Sequence, residues 1–146
     1  MRMDEGLDRF VTAQARAWPV AEAELAAGAK VGHWMWFVFP QVAGLGSSDT
    51  ARRYAIKDLA EARAYLAHPL LGGRLRRGVA LMLGHRGRCV RAILGQPDDL
   101  KFRSCLTLFL AAAEGAADGA LFRQGLDAFY GGAPDPLTLE RLGEPE

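Results

Sequence analysis

The sequence has 146 residues, of which 50% are hydrophobic and 24% are charged, and its formal net charge is +1. A chain of this length and composition buries enough surface for one compact domain without disulfides or metals, so an intrinsically disordered protein is excluded. The near-neutral charge gives no overall field that would favour nucleic acid or an anionic membrane.

The cysteines and the N-terminal residues indicate the cellular compartment. Cys89 and Cys105 fit no CxxC or Cys/His ligand spacing, so we expect free thiols in a reducing environment and no metal site. Residues 1–6 include acids where a secretory signal needs an apolar segment, and no apolar run approaches the ~18 residues that cross a bilayer. These features predict a cytoplasmic protein without a membrane partner.

The first helix is predicted from a stripe of apolar residues that begins at Leu7 and ends at Trp18. Pro19 should interrupt it and start a second helix that runs to Gly28. Gln14 falls on the apolar face, so it is either a hydrogen-bonded core residue or a residue that points into a site.

Residues 34–39 are apolar on both alternating faces and are followed by Pro40. They predict a short buried strand or an extended segment that passes through the core. The loop 44–48 follows, and Ser47, Ser48 and Asp49 are all suitable N-caps for a turn that contains Arg52 and Tyr54.

The second half of the sequence is predicted to be helical. Asp58 caps a helix that stops at His68-Pro69, where a cationic His68 would cap carbonyls; further helices cover 71–84, 89–94, 98–113 and 118–130. Asp98 or Asp99 should cap the helix over 98–113, which is expected to be the central core helix. A proline-containing tail ends the chain. The expectation is a mainly α single domain, residues 1–146 with a core of about 7–142, built from six or seven helices.

Polar groups cluster around the aromatic segment and predict a site there. An anion would find backbone N–H groups of a glycine-serine turn and nearby cations, although the same loop also fits an ordinary capped turn. The expected ligand-binding residues are Lys30, Trp34, Gln41, Gly44, Gly46, Ser47, Ser48, Arg52, Tyr54, Lys101, Ser104 and Thr107.

The roles of two residue groups stay open from the sequence. His33 is either a general acid or base, and thus the catalytic residue, or a histidine that anchors the tryptophans by bonding to backbone. Lys101 with Ser104 and Thr107 either completes the pocket or is a solvated lysine beside two hydroxyls bonded to the preceding turn. His85, among glycines and an arginine, is expected to be a solvated loop residue.

Several residue strings resemble one bacterial family. They include His33-Trp34-Met35-Trp36-Phe37, Phe39-Pro40-Gln41 and Gly44-Leu45-Gly46, and the likeness extends from Leu7 to about Leu142. The chain resembles domain-of-unknown-function family 1810, whose members often carry the label calpastatin, a disordered inhibitor that this composition contradicts. The resemblance implies no established reaction. The sequence departs from the family pattern at Ala29, Gly32 and the neighbours of Ser104. Because Ala29 stands where the family tends to have arginine, an anion contact at the residue before Lys30 is not expected.

The functional hypothesis is a cytoplasmic protein that binds a small phosphorylated metabolite, such as a nucleotide or an ADP-ribose derivative, and hydrolyses it if His33 is catalytic. No cofactor is implied. The rival hypothesis is a protein-interaction module in which the same aromatics form an exposed patch. Nucleic-acid binding through the arginines of residues 74–91 is disfavoured by the near-neutral charge.

Overall fold

The computed structural model describes residues 6–143, which form nine α-helices and two isolated β-bridges but no sheet. The mainly α fold predicted from the sequence is therefore confirmed. The helices are α1 (Asp8–Ala27), α2 (Met35–Val38), α3 (Asp49–Arg53), α4 (Leu59–Ala67), α5 (Leu71–Leu83), α6 (Val90–Leu94), α7 (Asp98–Ala112), α8 (Gly119–Tyr130) and α9 (Pro136–Arg141).

Helix α7 lies at the centre of the molecule, as the sequence predicts. It packs against α4, α6, α8 and α9, and it is buried on almost every side. Its Phe102 contacts Phe39 with ring centroids 4.7 Å apart, and its Phe109 contacts Tyr65 at 5.3 Å. The core thus joins both halves of the chain through aromatic pairs.

Helix α1 is one continuous helix, and the predicted break at Pro19 is wrong. Pro19 and Ala15, whose carbonyl loses its helical partner, are both exposed, so water can take the place of the missing hydrogen bond. The buried stripe continues across the proline through Trp18, Ala21 and Leu25. Packing along this stripe therefore outweighs the local cost of the proline.

The aromatic segment contains one helical turn, α2, instead of the predicted strand or extended segment. The N–H groups of Val38 and Phe39 donate to the carbonyls of Trp34 and Met35 at 3.2 and 3.0 Å. These four side chains are buried. Their spacing is also that of one helix face, and a buried run this short cannot distinguish a strand from a helical turn.

Helix starts confirm some of the expected caps and correct others. Ser48 caps α3 by accepting from Ala51 N at 3.0 Å, and Asp58 caps α4 by accepting from Glu61 N at 2.9 Å. Helix α7 starts after Pro97 without a side-chain cap, so the capping roles predicted for Asp98 and Asp99 are wrong.

Both histidines interpreted as simple helix-end or loop residues have other partners. His68 Nδ1 accepts from the N–H groups of Leu70 and Leu71 at 3.1 and 3.2 Å, so it serves the start of α5 instead of the carbonyls of α4. His85 is half-buried, and its Nε2 lies 2.8 Å from Leu25 O at the end of α1. The His68 side chain therefore joins α4 to α5, and the His85 side chain joins the end of α5 to the end of α1.

Helix α9 falls where the sequence predicts only a tail. The start of this helix is marked in the sequence by an Asp-Pro pair. Asp135 caps the helix by accepting from Thr138 N at 3.0 Å, and Pro136 occupies the first turn. A six-residue helix leaves almost no periodic pattern for a sequence reading to detect.

Residues 41–56, the segment that carries α3, are fixed by hydrogen bonds at both ends. At its base, Ile56 N donates to Gln41 O and Ala43 N donates to Ile56 O, each at 2.8 Å. Arg9 of α1 donates to Arg53 O and Ala55 O, each at 2.7 Å, and forms an ion pair with Glu61 at 3.2 Å. These bonds set the position of the glycine-serine loop relative to the core.

Candidate functional site

A groove of about 570 Å³ runs between three parts of the chain. One wall is the loop 45–48 together with Ala51, the second is the first two turns of α7, and the third is the start of α9 at residues 135–137. Trp36 of α2 and Gln41 also line it. The groove therefore forms because the loop 45–48 and α9 both pack beside α7.

The groove brings together about half of the residues predicted for the site. From the loop it has Gly46, Ser47 and Ser48, and from α7 it has Lys101 and Ser104, while Gln41 lies between these elements. The structure therefore places these two segments, which are about 55 positions apart along the chain, beside one groove.

Lys30, His33 and Trp34 do not line this groove. Trp34 is 2% exposed and donates from Nε1 to Glu24 Oε1 at 2.8 Å, so it is a core residue. The Lys30 side chain is 8% exposed and lies over the Trp34 ring, with Nζ 5.1 Å from the ring centroid. His33 is exposed.

Gly44 and Thr107 line different depressions. Gly44 and Arg141 border a neighbouring depression of about 510 Å³, where Arg141 Nη2 donates to Gly44 O at 3.1 Å. Thr107 borders a groove at the opposite end of α7, and its Oγ1 donates to Arg103 O at 2.9 Å. The Thr107 hydroxyl is thus bonded to the preceding turn.

Tyr54 and Arg52 also have structural contacts. The Tyr54 ring packs edge-on against Phe37, with centroids 4.7 Å apart, and it borders only a recess of about 10 Å³. Arg52 donates to the Ser47 carbonyl and to Asp49, the latter at 2.7 Å. Its guanidinium is therefore paired within the loop.

Lys101 is linked to Lys30 through a shared carboxylate. Asp98 Oδ2 lies 2.7 Å from Lys30 Nζ, and Asp98 Oδ1 lies 3.4 Å from Lys101 Nζ. Lys101 Nζ also lies 4.9 Å from the centroid of the Trp36 ring. One carboxylate thus faces two ammonium groups, so Lys30, Asp98 and Lys101 together carry a net charge of +1 beside an aromatic ring.

Glu24 holds the segment that carries Lys30 and His33. Its Oε1 accepts from Val31 N at 2.8 Å, from Gly32 N at 3.0 Å and from the Trp34 indole. Burial by itself would raise the pKa of the Glu24 carboxyl, but these hydrogen bonds and the Lys30 charge outweigh burial and lower it. Glu24 is therefore an ionised anchor and not a proton donor.

The third wall was not predicted, because it depends on α9. Asp135 Oδ2 accepts from Ser104 Oγ at 3.1 Å and from Thr138 Oγ1 at 2.6 Å. Arg103 donates from Nε to Ala133 O and from Nη2 to Pro134 O, both at 2.9 Å. These bonds fix the start of α9 against α7. The signal that could have located this wall is the Asp-Pro pair.

The N-terminus of α7 offers few unpaired donors to the groove. Asp99 N donates to Gly95 O at 2.8 Å, while Leu100 N and Lys101 N donate to Pro97 O at 3.0 and 3.3 Å. These first-turn amides have protein partners. An anion at this end of α7 would therefore depend on side chains, above all on Lys101.

Two further findings concern residues 6–143 as a whole. No helix in this part of the chain is both long enough and apolar enough to span a bilayer. Its histidines, cysteines and acids do not form a group of three or more that could hold a metal ion.

The chain is similar to proteins without an assigned activity. A family model described as Protein of unknown function (DUF1810) matches residues 4–142. The crystal structure of Rv1873, a conserved hypothetical protein from Mycobacterium tuberculosis, superposes with a TM-score of 0.91 at 47% identity, covering 97% of this chain and 100% of that chain. A search of curated proteins gave no match. The chain therefore belongs to the DUF1810 family of proteins of unknown function.

Proposed function

We propose that the groove between the loop 45–48, α7 and α9 binds a small phosphorylated metabolite such as a nucleotide. The observation that carries this proposal is the meeting of Trp36, the serine loop and Lys101 around one opening of about 570 Å³. This volume lies within the range of small-molecule sites, roughly 300–1,000 Å³. Apolar surface with a few polar groups is also the usual lining of such sites.

The charges support an anionic ligand. The charged residues that line the groove are Lys101, Arg103 and Asp135, so the net charge of the lining is +1. Asp135 is already occupied as the cap of α9. A phosphate group at Lys101 would gain a charge-assisted hydrogen bond there.

The exposure of the aromatic residues favours a ligand over the rival interaction module. Trp34 and Phe39 are buried, while Trp36 and Phe37 are half-buried. The large hydrophobic residues that the structure exposes among residues 6–143 are aliphatic. An aromatic anchor for a partner protein would need to present its ring to solvent.

Binding alone is proposed, without hydrolysis. His33 is exposed and does not belong to the residues that line the groove. A general acid or base has to come within hydrogen-bond reach of the reacting group. A reaction that uses His33 would therefore require the ligand to extend beyond the groove.

Calorimetric titration tests the proposal with AMP, ADP-ribose, ribose 5-phosphate and, as an uncharged control, adenosine. We expect heat from at least one phosphorylated compound, and Lys101→Met should weaken that binding by about tenfold or more, since charged hydrogen bonds contribute about 1.5–3 kcal/mol. Lys57→Met is the matched control, because Lys57 is exposed and lies outside the groove. Absence of heat from all three phosphorylated compounds, or equal weakening by both variants, contradicts the proposal.

A further inference from the structure

We infer that the groove selects ligands with a single phosphate group over those with a di- or triphosphate chain. This inference rests on the proposed function and names the ligand class of the same site. It follows from the number of cations that the groove can offer and from the carboxylates placed beside them.

Lys101 is the cation of the groove that is best placed to meet a phosphate. Its side chain is 25% exposed, and Trp36 and Asp98 contact it while leaving it open to solvent. Arg103 also lines the groove, but its Nε and Nη2 donate to the carbonyls of Ala133 and Pro134. Its fork therefore cannot turn to a ligand without releasing the start of α9.

The other cations near the groove are held elsewhere. Lys30 is buried behind Asp98, with Nζ 2.7 Å from the carboxylate and 2.6 Å from Gly32 O. Arg52 lies beside the loop but does not line the groove, and its exposed guanidinium contacts Ser47 O and Asp49. These contacts leave one ammonium for the ligand.

Carboxylates flank that ammonium. Asp98 is 3.4 Å from Lys101 Nζ, and Asp135 lines the same groove, bonded to Ser104 one helical turn along α7 from Lys101. A single phosphate carries a charge of about −1.5 to −2 at neutral pH, which the net +1 of the groove partly offsets. Each further phosphate adds negative charge without a cation to receive it, next to two acids.

The expected order of affinity is therefore AMP above ADP above ATP. Like charges a few ångströms apart repel by about 1 kcal/mol even in water, which corresponds to a loss of about fivefold for each phosphate added. The discrimination should weaken when one of the flanking carboxylates is removed.

The test is calorimetry of the wild-type protein with AMP, ADP and ATP in excess EDTA, so that no divalent cation neutralises the longer chains. The same series is then measured on Asp98→Asn, which should narrow the ratio of AMP to ATP affinity by about fivefold or more. Asp127→Asn is the matched control, because Asp127 is an exposed residue of α8 that does not line the groove; its ratio should equal that of the wild type.

The wild-type series is decisive even if Asp98→Asn does not fold. ADP or ATP binding as tightly as AMP overturns the inference and leaves the proposed function standing. No binding of any of the three, together with no binding of ribose 5-phosphate or ADP-ribose, removes the proposed function and the inference with it. An unchanged AMP to ATP ratio in a folded Asp98→Asn protein overturns the role of the carboxylate in the selection.

Discussion

Replacing Gln14 with leucine should destabilise the protein although it exchanges a polar core residue for an apolar one of similar size. Gln14 is 1% exposed. Its Nε2 donates to Phe37 O at 2.6 Å and to Tyr65 Oη at 3.0 Å, while its Oε1 accepts from Arg74 Nη1 at 3.3 Å. The amide thus joins α1 to α2, α4 and α5.

The magnitude follows from the groups that Gln14→Leu leaves without a partner. The Phe37 carbonyl would lose a part-buried hydrogen bond and the Tyr65 hydroxyl a buried one, each at a cost of about 1–3 kcal/mol. The leucine side chain recovers about 1 kcal/mol by apolar burial. Half-buried Arg74 can turn to water. The expected loss in the free energy of unfolding is therefore about 1–5 kcal/mol.

Urea denaturation followed by circular dichroism measures this loss, with Gln124→Leu as the matched control. Gln124 is exposed on α8, so its replacement should change the free energy of unfolding by no more than about 0.5 kcal/mol. Tyr65→Phe should cost about 1 kcal/mol in the wild type but should stabilise Gln14→Leu by about 1–3 kcal/mol, because there it removes a buried hydroxyl that has already lost its partner. A Gln14→Leu protein as stable as the control would refute this reasoning.

Two further predictions concern stability. Gly72→Ala should destabilise the protein by at least about 2 kcal/mol, because its new Cβ would lie 2.1 Å from Leu66 O. The adjacent Gly73→Ala meets no atom within 4 Å and should stabilise α5 by about 0.5 kcal/mol. Urea denaturation measures both changes, and equal effects would contradict the packing argument. Because folding lowers the pKa of Glu24, its ionised form stabilises the protein above pH 4.5, and this contribution is lost as the pH falls through the folded value. Glu24→Gln should therefore flatten the fall in unfolding free energy below pH 4.5; an unchanged pH profile would show that the Glu24 charge contributes nothing.

The fold was predictable where periodicity extends over several turns. Helix α7 shows this, since its apolar spacing identified it as the central helix. Short elements could not be recognised in the same way. Helix α2 has one turn and α9 has six residues, and neither is long enough to separate a helical period from an alternating or irregular one. Pro19 led to the prediction of a helix break that the structure does not have, because a proline in the sequence does not reveal the tertiary packing that keeps α1 continuous.

The candidate site was predictable as a neighbourhood and less so residue by residue. The sequence placed the serine loop near Lys101 and Ser104, and the groove joins them. It could not reveal that Asp98 binds Lys30 instead of capping α7, because that ion pair joins positions far apart along the chain. It also could not indicate that His33 would be exposed outside the groove. The sequence predicted a strand or extended segment after His33, and the helical turn α2 that forms instead changes which side chains lie on the same side.

The contact between Arg141 and Gly44 has a consequence for synthesis of the chain. The two residues are 97 positions apart, and the helix that contains Arg141 supplies the third wall of the groove. A nascent chain released up to α8 would hold most of its hydrophobic core but only two sides of the cleft. The third wall of the groove is thus in place only after α9 has been synthesised and has docked.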